Sequence, residues 1–187
     1  MKLRILSALL VASLALSTGA MAGMMNMTNP MVGGAAMYDT RDIVDNAVNS
    51  KDHTTLVAAV KAAGLVDTLK GPGPFTVFAP TNAAFAALPA GTVDTLLKPE
   101  NKGTLTSVLT YHVVSGRLDT AALNEQIEAG GGKATLHTVQ GGDLTVTGHG
   151  KHLTVSDAKG NIAHITIANV YQSNGVILVV DKVLMPQ

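Results

Sequence analysis

The sequence predicts an α+β fold in which a β-sheet packs against several short helices, and three observations support this class. Apolar residues recur at helical spacing through residues 39–129, whereas residues 133–180 contain short apolar and alternating runs between glycine-rich turns. Inside the helical half, residues 75–79 form a β-branched and aromatic run. Pro80 ends that run because it cannot donate a ladder hydrogen bond, so the chain turns there from a buried strand into a helix.

The segment after this strand has the pattern of a short helix. Thr81 is a good N-cap because its hydroxyl accepts a hydrogen bond from an amide of the first turn, and Phe85 and Leu88 recur at helical spacing. Large side chains are scarce, since the chain has three phenylalanines, three tyrosines and no tryptophan. We therefore expect the rings of Phe75, Phe78 and Phe85 to be buried together in the densest part of the core.

The first 22 residues have the three parts of a secretory signal peptide. Lys2 and Arg4 form a basic start, residues 5–16 are an apolar run too short to span a bilayer comfortably, and residues 20–22 are an Ala-Met-Ala cleavage site. A retained membrane anchor or a buried helix is the alternative. We expect cleavage after Ala22, which leaves a secreted or periplasmic protein without a transmembrane segment.

A methionine-rich segment of low complexity follows at residues 23–38. Its composition predicts a flexible or loosely docked lead, and the single domain is expected at residues 39–187. Clustered thioethers also suit Cu(I), although the methionines show no fixed ligand spacing. Copper binding by this lead therefore stays open, while a flexible linker is the favoured interpretation.

Composition excludes several classes of partner and site. Loss of Lys2 and Arg4 with the signal peptide leaves a mildly acidic chain that has no basic stripe interleaved with aromatic residues, so we expect no nucleic-acid partner. The chain has no cysteine, which excludes disulfides and thiolate metal sites.

Capping residues and apolar spacing predict the remaining helices. Thr40 caps the first, whose buried face includes Val48, and the second runs from about Thr54 to Gly64, with His53 solvated near its head. Shorter helical segments are expected at residues 65–69, after a cap at Thr92, at residues 102–110, and from Asp119 or Thr120 to residue 129.

Short runs of strand-forming residues predict the rest of the sheet. The last run is nearly continuous apolar sequence, as expected of a strand that is covered on both faces. The predicted strands lie at residues 133–139, 144–147, 153–156, 162–168 and 176–180.

Three segments of this pattern resemble the signature segments of fasciclin domains. They are residues 75–88, residues 109–114 with their Tyr-His pair, and residues 174–186, and they occur in the family's order. The signature residues, which we take as candidate interaction residues, are Phe75, Phe78, Pro80, Thr81, Asn82, Phe85, Tyr111, His112, Asn174, Gly175 and Asp181. The resemblance implies a single fasciclin domain of the secreted bacterial type, a fasciclin-like fold whose sheet forms a wedge or sandwich, and a role in extracellular adhesion or binding.

The sequence departs from the family pattern at two places. Adhesive animal fasciclin domains have an Asp-Ile pair before the closing segment that is implicated in integrin binding, and Asn169 and Val170 stand at those positions here. Leu178 stands where a histidine is common. The resemblance therefore does not imply integrin binding.

Tyr111 and His112 are the strongest candidates for chemistry. Histidine exchanges protons near neutral pH and a neighbouring tyrosine can donate one, but the chain has no cysteine and no Gly-x-Ser-x-Gly nucleophile motif. The resemblance implies a structural role instead, with Tyr111 packed in the core and His112 bonded to backbone groups. We favour that role and expect no catalytic residue and no cofactor.

The remaining histidines are weaker candidates for metal ligands. His149 and His152 are close enough in sequence to share an ion, but Lys151 lies between them and no third ligand is evident, so an exposed hairpin turn is favoured. His137 and His164 alternate with presumed core residues and should lie at the surface. No metal site is predicted.

Three functional hypotheses follow. The first is an exported, non-catalytic binding or adhesion module whose partner is an extracellular or envelope protein or a polysaccharide. The alternative is a soluble carrier of a hydrophobic small molecule such as a carotenoid or lipid, which the resemblance implies because some fasciclin-like proteins bind such molecules. The low charge, the apolar helices and the methionine-rich lead also suit this alternative. The third, an enzyme with His112 and Tyr111 as an acid/base pair, requires both side chains to line one pocket beside a nucleophile or water.

Overall fold

A computed structural model describes residues 29–187, which form helices and strands in an α+β arrangement. The helices are α1 (Ile43–Ala47), α2 (Thr54–Ala63), α3 (Val66–Lys70), α4 (Asn82–Ala86), α5 (Thr92–Leu96), α6 (Lys102–Tyr111) and α7 (Thr120–Ala129), with 3-10 turns at Lys51–His53 and Pro99–Asn101. The strands are β1 (Met31–Val32), β2 (Ala35–Ala36), β3 (Phe75–Pro80), β4 (Val113–Ser115), β5 (Lys133–His137), β6 (Asp143–His149), β7 (His152–Ser156), β8 (Ile162–Gln172) and β9 (Gly175–Val180).

Seven strands form one mixed sheet in the order β4-β3-β9-β8-β7-β6-β5. Strands β3 and β9 are parallel, and the other neighbours in this sheet are antiparallel. A bridge between Val114 and Thr138 brings the two ends of the sheet together, and the Val139 amide donates to the Val113 carbonyl at 2.8 Å. The sheet is therefore a wedge that nearly closes into a barrel, which confirms the predicted fold class.

The fold has two apolar cores, one on each face of the central strands. The inner core lies within the curled sheet and contains Phe78, Tyr111 and Leu178, while the outer core lies between the N-terminal helices and the sheet and contains Phe85 with Phe75 packed against it. The expectation that the three phenylalanine rings pack together is therefore wrong. Positions 75 and 78 of a strand point to opposite faces, so their rings enter different cores.

Most predicted helices are present, with corrections at their starts. Gly64 ends α2 with a φ of 73°, as expected of a left-handed C-terminal residue. The N-cap of α1 is Asp42, not Thr40, and its carboxylate accepts from the Asp45 amide at 2.7 Å. Val48 lies beyond the helix and is 47% exposed. Gly91 precedes α5 in place of the expected Thr92 cap.

The longest helices among the described residues span ten residues each. Within residues 29–187, no helix has the length and apolar character needed to cross a lipid bilayer.

The described part of the methionine-rich lead packs against the domain. Strands β1 and β2 form a small hairpin, and Val32 and Met37 are buried in the outer core. The Gly33 carbonyl accepts from the Lys51 amide at 3.1 Å, which ties the hairpin to the 3-10 turn before α2. Residues 29–38 are therefore docked onto the domain by these contacts. The signal peptide at residues 1–22 and the methionines at 24, 25 and 27 lie outside the described residues.

We predict that Gly175→Ala lowers the free energy of unfolding by about 2 kcal/mol, because a Cβ there would lie 2.2 Å from the Phe75 carbonyl oxygen and 2.9 Å from Ile43 Cδ1. The matched control is Gly103→Ala in α6, where nothing lies within 4 Å of the added carbon. That substitution should leave stability equal or raise it by about 0.5 kcal/mol. Urea denaturation measures both, and equal effects of the two substitutions would contradict the close approach of β3 and β9.

Candidate functional site

The three signature segments meet at the β4 end of the sheet. They contribute β3, β4 and β9, which are adjacent strands, and the Phe78 amide donates to the His112 carbonyl at 2.9 Å. The candidate residues are therefore close in the fold, and the question is whether their side chains face a cleft or the interior.

Tyr111 is fully buried at the end of α6. Its hydroxyl donates to the Asp143 carbonyl at 2.7 Å and accepts from the Ala158 amide at 3.0 Å. These bonds join α6 to the start of β6 and to the loop after β7. Burial raises the pKa of Tyr111, so its phenol stays protonated and serves as a structural link.

His112 is buried beside it and both ring nitrogens are bonded to backbone. Nδ1 donates to the Val108 carbonyl at 2.8 Å, and Nε2 accepts from the Leu184 amide at 2.9 Å. A carbonyl can only accept and an amide can only donate, so the ring is neutral with its proton on Nδ1. Burial lowers the pKa of His112 to about 4. The ring therefore connects α6 to the C-terminal segment, and the hypothesis that it acts as an acid/base partner of Tyr111 is wrong.

Ser173 and Asn174 form the turn between β8 and β9, and Gly175 is the first residue of β9. The Asn174 side chain accepts from the Ile43 amide at 3.1 Å and donates to the Leu69 and Gly71 carbonyls at 2.7 and 3.0 Å. One amide group thus joins the start of α1 and the end of α3 to the sheet. The role of Asn174 is to dock the N-terminal helices.

Thr81 and Asn82, which directly follow β3, form hydrogen bonds at the first turns of two helices, α4 and α2. The Thr81 hydroxyl accepts from the Ala84 amide at 3.2 Å, which confirms it as the N-cap of α4. Asn82 accepts from the Thr55 amide at 3.0 Å and donates to the Lys51 carbonyl at 2.8 Å. The N-cap residue of α2, His53, makes no side-chain hydrogen bond to the first turn of that helix. Asn82 therefore supplies the capping contact from outside the helix.

Pro80 and Asp181 lie at the ends of the central strands. Pro80 is the last residue of β3 and lies opposite Val180, so the strand ends where the sequence predicts. The Asp181 carboxylate accepts from the His164 amide at 2.7 Å, next to the bond from the Asp181 amide to the His164 carbonyl. Asp181 therefore fixes the pairing of β8 with the end of β9.

The residues at the two departures from the family pattern are also structural. Asn169 has a φ of 57° in a bulge of β8, and its side chain accepts from the Thr120 amide at 2.9 Å and donates to the Thr120 hydroxyl at 2.8 Å. Val170 and Leu178 are fully buried, in the outer and inner core respectively. Asn169 thus holds the start of α7 against the sheet.

His53 is buried, which corrects the expectation that it is solvated. It is 3% exposed, its Nδ1 lies 2.9 Å from the Ser50 hydroxyl, and its Nε2 has no hydrogen-bond partner. Burial lowers the pKa of His53. The sequence contains a signal for this burial, because His53, Leu56 and Val60 recur at helical spacing on one face.

An apolar cavity of about 70 Å³ lies beside His53, between the N-terminal helices and the sheet. It is bounded by side chains of α1, α2 and α3 and by the outer face of β3 and β9, among them Val44, Val60, Leu69, Val77 and Ile177. Its walls are almost entirely hydrocarbon, so it suits an apolar occupant.

A cluster of exposed tyrosine and arginine side chains, which sequence reasoning missed, surrounds the β8–β9 turn. The Arg41 guanidinium lies 4.9 Å from the centre of the Tyr38 ring, and the Arg41 carbonyl accepts from the Ser173 amide at 2.9 Å. Arg117 Nη2 donates to the Gln172 carbonyl at 3.0 Å, and the Tyr171 hydroxyl donates to Asp119 at 3.0 Å. We call Tyr38, Arg41, Arg117 and Tyr171 the tyrosine–arginine face.

The surface histidines lie where the sequence predicts. His137 and His164 are exposed, and His149 and His152 are exposed at the β6–β7 hairpin. Across the part of the chain that the structure covers, no group of three or more histidine, cysteine, aspartate or glutamate side chains is placed to hold a metal ion.

Comparison with known proteins shows which protein family this chain resembles. The family profile described as the Fasciclin domain matches residues 51–186. Protein sll1483 of Synechocystis sp. is 45% identical over 157 residues, which cover 83% of this chain and 79% of the relative. The immunogenic protein MPB70 of Mycobacterium bovis is 41% identical over 145 residues, covering 75% and 66%. The cell surface glycolipoprotein MPB83 of the same species is 38% identical over 164 residues, covering 84% and 67%.

A solved structure agrees in fold at much lower identity. It is a FAS1 domain pair from the insect cell adhesion molecule fasciclin I, with a TM-score of 0.69 and 15% identity. The match covers 78% of this chain and 51% of that one, so this chain spans about half the length of the domain pair.

We predict that protonation of His112 destabilises the fold as the pH falls. The unfolded histidine titrates near its ordinary pKa of 6.5 and the folded one near 4, so between these values the unfolded state binds more protons. Lowering the pH from 7 to 4 should therefore remove about 3 kcal/mol of stability through this residue, and His53 acts in the same direction.

Urea denaturation of the wild type and of His112→Gln at pH 7 and pH 4 measures the effect. The variant should be less stable at pH 7 but lose less stability on acidification, because contributions from carboxylates are common to both proteins. A wild type and variant with the same pH dependence would contradict the buried neutral ring.

Proposed function

The chain belongs to the fasciclin domain family, and we propose from this premise that it is an exported, non-catalytic binding module that attaches to an extracellular or envelope protein or polysaccharide. The proposal rests mainly on the position of the family's Tyr-His pair, Tyr111 and His112. Both side chains bond to backbone groups in the interior, so the signature residues build a scaffold and leave recognition to the surface.

The relatives support a location outside the cytoplasm. MPB83 is named as a cell surface protein, and the structural neighbour comes from a cell adhesion molecule. The signal-peptide pattern at residues 1–22 suits the same location. These observations support export and attachment, and they leave the partner to be found by experiment.

We propose the tyrosine–arginine face as the surface that contacts the partner. Tyrosine and arginine are enriched in protein interfaces because they combine large contact area with hydrogen-bonding groups. Arg41 and Arg117 are the two arginines within residues 29–187, and both lie here beside exposed tyrosines. The backbone bonds around Ser173 hold this face on the sheet, which lowers the entropy cost of binding.

Retention of the purified protein on envelope proteins and polysaccharides of its source tests this function. We predict that Arg41→Ala combined with Tyr171→Ala weakens retention at least about tenfold, because interface anchors of these types carry most of the binding energy. The matched control combines Lys182→Ala with Ile162→Ala, which removes an exposed cation and an exposed apolar side chain elsewhere. No retention of the wild type would oppose the binding function, whereas equal retention of both variants would oppose only this face.

The second candidate function, carriage of a hydrophobic small molecule, is favoured by the apolar cavity. At about 70 Å³ the cavity is far smaller than the roughly 300–1,000 Å³ of ordinary ligand pockets. A carotenoid or lipid would therefore enter only if the N-terminal helices moved away from β3 and β9. This function thus requires an opening of the outer core.

Purification of the native protein together with any small molecule bound to it tests the carrier function. A carrier should show visible-range absorbance or extractable lipid, and Val60→Phe, which fills the cavity from α2, should abolish uptake while leaving surface retention intact. A native protein that holds no such molecule and takes up neither carotenoid nor lipid would contradict carriage.

A further inference from the structure

The hairpin between β6 and β7 places two histidines directly opposite each other. The strand register pairs His149 with His152, and the two-residue turn between them is Gly150-Lys151. Directly opposed residues of an antiparallel pair have Cβ atoms about 4.5–5.5 Å apart and side chains on the same face of the sheet. Both histidines are exposed, so their rings are free to turn toward each other.

The neighbouring pair on these strands shows that such side chains meet. Thr147 and Thr154 are also opposed, two residues from the histidines along each strand, and their hydroxyl oxygens are 2.9 Å apart. The inner face at this point carries Val146 and Leu153, which are buried. The histidines therefore extend the outer row that Thr147 and Thr154 begin.

The hairpin turn is also held in place by α7. The Asn124 side chain accepts from the Gly150 amide at 2.8 Å and donates to the Gly150 carbonyl at 3.0 Å. At Gly148 a Cβ would lie 2.1 Å from the His152 carbonyl oxygen, so the two strands approach closely. These contacts fix the backbone on both sides of the histidine pair before any ligand binds, which reduces the entropy cost of chelation.

We propose that His149 and His152 together chelate a divalent transition-metal ion of the zinc and copper class. Imidazole nitrogens suit these ions, and two ligands of a tetrahedral zinc ion with bonds near 2.0 Å lie about 3.3 Å apart, a spacing that opposed histidines can reach. The other coordination positions face solvent. The site is therefore an open two-point chelate, independent of the proposed adhesive or carrier function.

Titration of the full chain with Zn²⁺, followed by calorimetry and amide NMR, tests the site. We expect saturable binding of one ion at this hairpin, with shifts confined to residues near 148–152 and to Asn124. His149→Ala and His152→Ala should each weaken binding at least about tenfold, because the second bond of a chelate forms intramolecularly.

His164→Ala is the matched control, since His164 is exposed on the same sheet but lies opposite Thr154. Its affinity for Zn²⁺ at the hairpin should stay within twofold of the wild type. Absence of saturable binding, unchanged affinity in either hairpin variant, or shifts centred elsewhere would overturn the proposal. Denaturation of each variant without metal separates loss of ligand from loss of fold.

Discussion

The parallel pairing of β3 with β9 is the interaction on which the rest of the structure depends. Its register runs from Phe75 opposite Gly175 to Pro80 opposite Val180. Each strand contributes side chains to both cores, with Phe78 and Leu178 inside the wedge and Val77 and Ile177 beneath the helices. Strands β4 and β8 extend the sheet on either side of this pair, and Asn174 attaches the N-terminal helices at its start.

Local sequence signals predict the helices and strands of the fold well, because each of these signals depends only on neighbouring residues. The Pro80–Thr81 corner, the left-handed Gly64 and the apolar run of β9 each follow from short-range chemistry. The distribution of residues between two cores was harder to predict. The division of Phe75 from Phe78 depends on a sheet that has a covered surface on both sides, and this is a property of the tertiary fold.

The candidate site shows the same limit. The resemblance implied the structural role of Tyr111 and His112, yet their partners at Asp143, Ala158, Val108 and Leu184 depend on the closed fold. In the sequence, only the helical spacing of His53 with Leu56 and Val60 indicates that His53 is buried. The tyrosine–arginine face could not be read from sequence, because loops far apart in the chain come together around Ser173. Signature residues of this family therefore indicate how the scaffold is built more directly than what it recognises.

The pairing of β3 with β9 also affects how the chain folds. About one hundred residues separate the partners in this pairing, so the chain must close a very long loop before the central contacts can form. Topologies dominated by such distant contacts fold slowly compared with helical bundles. During synthesis the pairing of β3 with β9 cannot form until residues 175–180 have emerged from the ribosome.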